Sequence, residues 1–417
     1  MKRRNYVAVI GLASAAALSL SGIAQAAEKA DKQPTVSACL AKSLKAAQDA
    51  KNANNYDLEI QKIKEAQNTP KCNKSPFDEY LMNSWLGVAY IGTKDYADAA
   101  TALQAAAESQ YTTSAGRRQM LQAVVSIYSQ LRQYPKAIAA GQAAIKAGNA
   151  DAPVYVTVAS AQESLGQHKE AADTIQRLID KEGTKPEEKY LEFQWEAYGK
   201  ANDQADAAKV IDKLVTLYPK PDYWANALQP LAKMTVSDAH LQLEIYRLMF
   251  DVGVLKLPQD FGEMAELAYD AGYPGETVAV LQKAFAQNIF TNPSDSMRYQ
   301  HLMMTAMGKA QTDQASLAAQ ESKAQSAAGG DQLVGVGAAY LSYGQADKAV
   351  SVIEAGIAKG GLKRPEEANL LLGIAQLRSH DAAAAHRSFD KVASSSNPGY
   401  AQLGRLWMLH SQNHSAG

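Results

Sequence analysis

The chain has 417 residues, 42 Lys and Arg against 43 Asp and Glu for a formal net charge of −1, and 47% hydrophobic residues with two cysteines. So even a balance gives no electrostatic footprint for nucleic acid or an anionic membrane surface, while the apolar fraction is ample for a folded core. No Walker-type Gly-Lys-Ser/Thr loop, G-x-S-x-G or H-E-x-x-H occurs, which removes the common phosphate, acyl-transfer and zinc-hydrolase motifs.

At the start of the chain, Lys2, Arg3 and Arg4 precede an apolar stretch from Val7 to Leu20, and Ala24-Gln25-Ala26 fits a small-x-small cleavage site. The pattern predicts a secretory signal peptide over residues 1–26, cut after Ala26. A membrane anchor would need about 20 apolar residues, and this stretch is shorter and broken by serines. No Cys sits at the cleavage site, so a lipid anchor is not expected. The mature protein is predicted to be periplasmic or secreted, with no transmembrane segment. Loss of the three basic residues takes the formal charge from −1 to −4.

From there a phrase recurs at intervals of 32 to 40 residues: a small residue, a larger apolar one four positions on, and a small or apolar one three beyond that. It is seen at Glu59, Ile63, Ala66; Ala99, Leu103, Ala106; Ala137, Gly141, Ala144; Ala171, Ile175, Leu178; and Ala207, Ile211, Leu214. It returns at Thr277, Leu281, Ala284; Ala349, Ile353, Gly356; and Ala385, Phe389, Val392. Two gaps about twice the period are expected to hide degenerate copies at Ala239, Leu243, Tyr246 and at Ala315, Ala319, Ser322, for about ten copies. Nine positions before the phrase stands, in several copies, a Tyr preceded by Leu-Gly: Leu86, Gly87 and Tyr90, then Tyr128, Tyr198 and Tyr340, with Leu372-Gly373 repeating the pair. Spacings of three and four place these residues on helix faces, so each copy reads as two amphipathic helices. Short turns join them at Thr93-Lys94-Asp95, Gly166-Gln167-His168, Ala201-Asn202-Asp203 and Gly344-Gln345-Ala346. Pro230 inside the sixth copy's first helix is expected to end or kink it, and residues 296–327, the eighth copy, lack the Tyr and the Gly. A last helix over 398–413, with Leu403, Leu406, Trp407 and Leu409 on one side, is expected to cap the array.

This pattern resembles the tetratricopeptide repeat, W-x2-L-G-x2-Y followed by A-x3-F-x2-A and a closing Pro, over nearly the whole mature chain; Pro219 closes one copy in that manner. The resemblance implies an all-α, right-handed superhelical α-solenoid of about ten hairpins. Tyr218-Pro219-Lys220-Pro221 is either an inter-repeat turn or a joint dividing the array into residues 36–219 and a more degenerate 220–396. In the drawn hairpin, Cys39 and Cys72 fall at the same open end. An oxidising compartment makes a disulfide the expected state, stapling a terminal repeat that has one neighbour only; the rivals are a metal site, for which two further ligands are missing, and a redox pair.

The repeats leave no segment for a catalytic fold, so no enzyme, cofactor or metal is expected; His410 and His414, four apart near the end of the chain, read as a solvated terminus rather than a chelate. The family binds an extended peptide or a partner helix on its concave face. Carried onto this sequence, the groove positions are Gln122, Ser126, Ser129, Glu163, Glu192, Glu196, Lys200, Glu266 and Tyr269. The Lys and Asn that clamp a C-terminal carboxylate elsewhere in the family are replaced here by Gln, Ser and Glu, and the glutamates predict a partner rich in Lys or Arg. A polysaccharide carrier is the alternative, resting on Tyr269 and Trp224, although Tyr218, Tyr223 and Trp224 read first as core. The expected role is a non-catalytic scaffold or adaptor for a protein or peptide in a cell-envelope assembly or transport system.

Overall fold

A computed structural model describes residues 34–414 apart from residues 184 and 236. The signal peptide and its cut after Ala26 lie outside the described residues, as does the side chain of His414. Among the described residues there are twenty α-helices and no strand. Among the described residues two compact units are present, one running as far as Pro186 together with Glu196–Asp203, the other comprising Glu187–Trp195 and the described residues from Gln204 onward.

The first unit contains hairpins α1 (Ala41–Asn52) with α2 (Tyr56–Gln67), α3 (Pro76–Thr93) with α4 (Tyr96–Glu108), α5 (Ser114–Gln130) with α6 (Tyr134–Lys146), and α7 (Ala152–Ser164) with α8 (His168–Glu182). Helix α9 (Glu188–Lys200) is shared between the units and is followed by α10 (Gln204–Leu217). The second unit continues with α11 (Pro221–Met234) and α12 (Ala239–Asp251), α13 (Pro258–Asp270) and α14 (Pro274–Ala286), a single long α15 (Pro293–Gln325), α16 (Asp331–Ser342) and α17 (Ala346–Lys359), α18 (Pro365–Arg378) and α19 (Ala382–Ala393), and α20 (Pro398–His414).

Geometry explains the recurring phrase. A Cβ built on Gly87 would lie 2.5 Å from the side chain of Leu103, one on Gly337 2.3 Å from Ile353, and one on Gly373 2.4 Å from Phe389. In each case the partner is the large residue of the phrase sixteen positions on, so glycine in the first helix admits that side chain from the second. The Tyr position closes the turn. The N–H of residues 55, 95, 133, 167, 203, 273, 345 and 381 donates at 2.8–3.0 Å to the carbonyl five residues back, which includes Tyr90, Tyr128, Tyr198 and Tyr340. The residue between is left-handed, as at Lys94 (φ 67°) and Asn202 (φ 58°), and Gly166 and Gly344 take that conformation without a Cβ penalty. Where Gln replaces Tyr, a buried amide–hydroxyl pair takes over: Thr174 donates to Gln162 at 2.8 Å and Ser388 to Gln376 at 2.7 Å.

Two expectations are corrected and a third is narrowed. Residues 296–327 do not form a hairpin; Ala315, Ala319 and Ser322 belong to the one continuous helix α15 of 33 residues. Within it there is no Pro beyond the first position and the only Gly, Gly308, has a helical backbone, so nothing stops propagation among Ala, Met, Gln and Lys. Nine hairpins therefore stand among the described residues, rather than ten. Pro230 lies inside α11, which runs on to Met234, so of the two expected outcomes the helix does not end there; the proline removes one intrahelical donor near the helix end.

Cys39 and Cys72 form a disulfide with Cα atoms 5.9 Å apart. Beside it, Asp78 in the first turn of α3 completes a capping box with Ser75 and accepts the backbone N–H of Ser37 at 3.0 Å and its hydroxyl at 2.6 Å. The entering segment is thus tied to the second hairpin as well as the first. Burial opposes ionisation of Asp78, yet the bonds from Ser37 and Ser75 prevail and hold its pKa below the ordinary value.

The second unit closes on itself. Helix α20 packs on α19 and also reaches α10, α12 and α18, and α12 meets α18. Trp407 is fully buried and stacks on Phe389 at 5.3 Å, Arg405 pairs with Asp212 of α10 at 2.9 Å, and His410 lies 3.1 Å from Asp251 of α12. Across the other contact, His240 of α12 lies 3.3 Å from Glu367 of α18. Nine consecutive residues of α12, Leu241 to Met249, are buried, as are Leu370 to Gln376 of α18; both helices are enclosed on all sides, unlike a solenoid helix with one wet face. The last helix is therefore more than an end cap. Tyr218-Pro219-Lys220-Pro221 is the turn between α10 and α11 within this unit, and Tyr223 and Trp224 are buried in its core.

Candidate functional site

The residues carried over as a groove fall into three groups. On α5 of the first unit, Gln122, Ser126 and Ser129 are half-buried, and none of their side chains makes a hydrogen bond within the described protein. Helix α5 packs beside α7, where Val156 and half-buried Ser160 hold the corresponding places. Small hydroxyls and one amide on successive first helices leave donors and acceptors unspent, which suits an extended main chain.

The second group is paired internally. Lys200 sits 2.9 Å from Glu163 and 2.9 Å from Glu196, and Glu163 also meets His168 at 2.9 Å. Burial works against the charge of Lys200, but its bonds to Glu163 and Glu196 outweigh it and raise its pKa. One lysine thus meets two carboxylates, which reduces but does not cancel the acidic field expected to draw a Lys- or Arg-rich ligand.

The third group lies in the second unit. Glu192 accepts the hydroxyl of Tyr223 at 2.6 Å, Glu266 pairs with Arg298 at 2.6 Å, and Lys309 sits over the ring of Tyr269 at 4.2 Å. The nine positions thus divide between two units, with Glu163, Glu196 and Lys200 brought into one ion cluster.

A feature the sequence reading missed lies inside the second unit. A cavity of about 290 Å³ is lined by Phe250, Met264, Val280, Leu341 and Ile374 with Arg247, Glu276 and Arg378 at its polar end. Arg247, fully buried, is forked onto Glu276 through Nε at 2.8 Å and Nη2 at 2.6 Å, donates to Glu244, and lies under the ring of Tyr273 at 5.1 Å. One cation thus faces two carboxylates. Burial raises Glu244, and Arg247 offsets this only in part because its fork is committed to Glu276; Glu276 is lowered despite burial. The available signal was the pair Glu244 and Arg247, three apart in a run buried on every side that also holds polar Gln242 and Tyr246.

Among the described residues, no helix is long and apolar enough to cross a membrane. No protein-family model and no curated protein sequence matches the chain. Solved structures similar to it include a tetratricopeptide repeat protein from Parabacteroides merdae, at 11% identity and a TM-score of 0.32, covering 81% of this chain and 99% of that one. MamA protein is similar at 17% identity and 0.32, over 44% of this chain and 93% of that one. YrrB, described as a TPR protein with an unusual peptide-binding site, is similar at 13% identity and 0.31, over 43% and 93%. The fold rests on the hairpins themselves: this is an all-α array of repeated helical hairpins, in which glycines of the first helices meet large apolar residues of the second and the Tyr carbonyls close the turns.

Proposed function

We propose that the protein is an exported, non-catalytic docking scaffold that holds an extended protein segment against the first helices of its N-terminal unit, within a cell-envelope assembly or transport system. The observation that carries this reading is the row Gln122, Ser126 and Ser129, half-exposed and without internal partners, on a helix of a repeat array. A backbone laid along it can exchange hydrogen bonds with these groups, and apolar Val156 beside them offers a place for a side chain. Export is supported by the leader-like residues 1–26 and by the pairing of Cys39 with Cys72, which persists in oxidising compartments. The polysaccharide alternative is weakened, since Trp224 is core and the ring of Tyr269 is covered by Lys309.

The test is site-specific photo-crosslinking in the native host. A photoreactive residue at Ser126 should yield a discrete adduct with a protein, and one at Ala105, exposed on α4, should not. Equal labelling at both, or none at Ser126, would sink the assignment. Sequencing the N-terminus of the periplasmic form should begin at Ala27.

A further inference from the structure

We infer that α15 is a dimerisation helix, pairing antiparallel with α15 of a second copy of this chain. Helix α15 touches its own unit through one side only: its buried residues are Tyr299, Ala306, Leu317 and Ala324. The opposite side, taken at alternating steps of four and three from Met297 to Gln325, consists of nine residues that are all exposed. None of the nine is charged, although the helix carries six charged side chains elsewhere. The row has the a/d spacing of a coiled-coil seam, with Met297, Met304, Ala315 and Ala318 as its apolar members and His301, Gln311, Ser322 and Gln325 as polar ones. Met297 is 66% exposed, Met304 62% and the flanking Met307 48%, three of the seven exposed large hydrophobics among the described residues and the only three sharing one helix.

The seam is self-complementary in one register. Its bulky members lie in the first half and its small ones in the second, so antiparallel pairing sets Met297 against Ser322, His301 against Ala318, and Met304 against Ala315 of the other copy. Each layer then joins a large residue to a small one, as close packing requires, and the contact is isologous. A parallel pair would stack Met on Met at one end and leave gaps at the other. Flanking positions set Arg298 opposite Ala319 and Gln300 opposite Glu321, so no like charges meet.

Gly308 supplies an independent observation. It sits in mid-helix, where glycine is disfavoured, and a Cβ there would meet nothing within 4 Å; no contact inside the chain accounts for it. Next to the two-fold axis, opposite Gln311, it lets the two backbones approach closely. The seam spans 29 residues, about 43 Å of helix, and with a width of about 12 Å it buries roughly 1,000 Å² in total, at the lower limit of specific interfaces. The dimer is therefore expected to dissociate in the micromolar range.

Sedimentation equilibrium of the mature chain between about 1 and 200 μM should show a reversible monomer–dimer equilibrium. Met304→Glu, on an exposed side chain, should weaken association at least tenfold with unchanged circular dichroism and unfolding midpoint. A chain carrying Met304→Cys with Ala315→Cys should form a covalent dimer on mild oxidation, and Met304→Cys alone should not. A wild-type monomer throughout the range, a dimer indifferent to Met304→Glu, or crosslinking by Met304→Cys alone would each overturn the proposal; the first would leave the seam to a different partner.

Discussion

Glu59 takes, in α2, the place that a small residue holds in most other copies of the phrase. It is fully buried and neither carboxylate oxygen has a hydrogen-bond partner. Burial pushes its pKa from 4.5 up to about 7, with Lys51 pulling weakly the other way. Because the folded-state value is raised, the native state is favoured while Glu59 is protonated; this stability is complete below about 4.5 and is lost as pH rises through about 7. The shift corresponds to about 3 kcal/mol at alkaline pH. Glu59→Met, of similar length and apolar, should therefore stabilise the α1–α2 hairpin by about 3 kcal/mol more at pH 8.5 than at pH 4.5. Glu59→Gln should gain less, since it leaves an unpaired buried amide costing about 1–3 kcal/mol. Amide hydrogen exchange across residues 41–67 of the full chain, corrected for intrinsic rates, measures this directly. If wild-type protection does not fall between pH 4.5 and pH 8.5, or if Glu59→Met loosens the hairpin at both, then the buried charge does not govern its stability.

Reducing the disulfide, or Cys39→Ser with Cys72→Ser, should weaken the same hairpin by about 3–4 kcal/mol, the loop-closure value for about 34 residues, seen as faster proteolysis near the N-terminus. Gly373→Ala should destabilise by about 1–3 kcal/mol by driving a methyl into Phe389, whereas Gly335→Ala, which meets nothing within 4 Å, should stabilise by about 0.5–1 kcal/mol; thermal unfolding midpoints should move in opposite directions. Arg247→Met should cost about 3–5 kcal/mol at pH 7.5 by stranding Glu244 and Glu276. Part of that loss should return on acidification, which protonates the carboxylates, as read from the fluorescence of buried Trp224 and Trp407 during urea unfolding.

The hairpins were legible because their period is enforced locally: Gly87 must face Leu103, and the carbonyl of Tyr90 must close a tight turn, wherever the repeat occurs. The pairing of Cys39 with Cys72 followed from the same drawing. Helix α15 was misread because a period was extended across a stretch with no turn residue to honour it. The groove acids were identified as residues but not in their state, since Lys200 reaches Glu163 from 37 positions away and no spacing rule relates them. The enclosure of α12 and α18 was equally invisible. Contacts such as His240 with Glu367, 127 residues apart, arise from how repeat pitch accumulates, which single-repeat patterns do not encode.

The return of α20 onto α10 and α12 alters how the polypeptide comes to maturity. In an open stack the early repeats can settle as they emerge, each resting on its predecessor. Here the keystone is the seventeen-residue helix α20, so the second unit stays unfinished until that helix has been made. Trimming a few residues of α20 should therefore unseat a whole unit instead of fraying one tip.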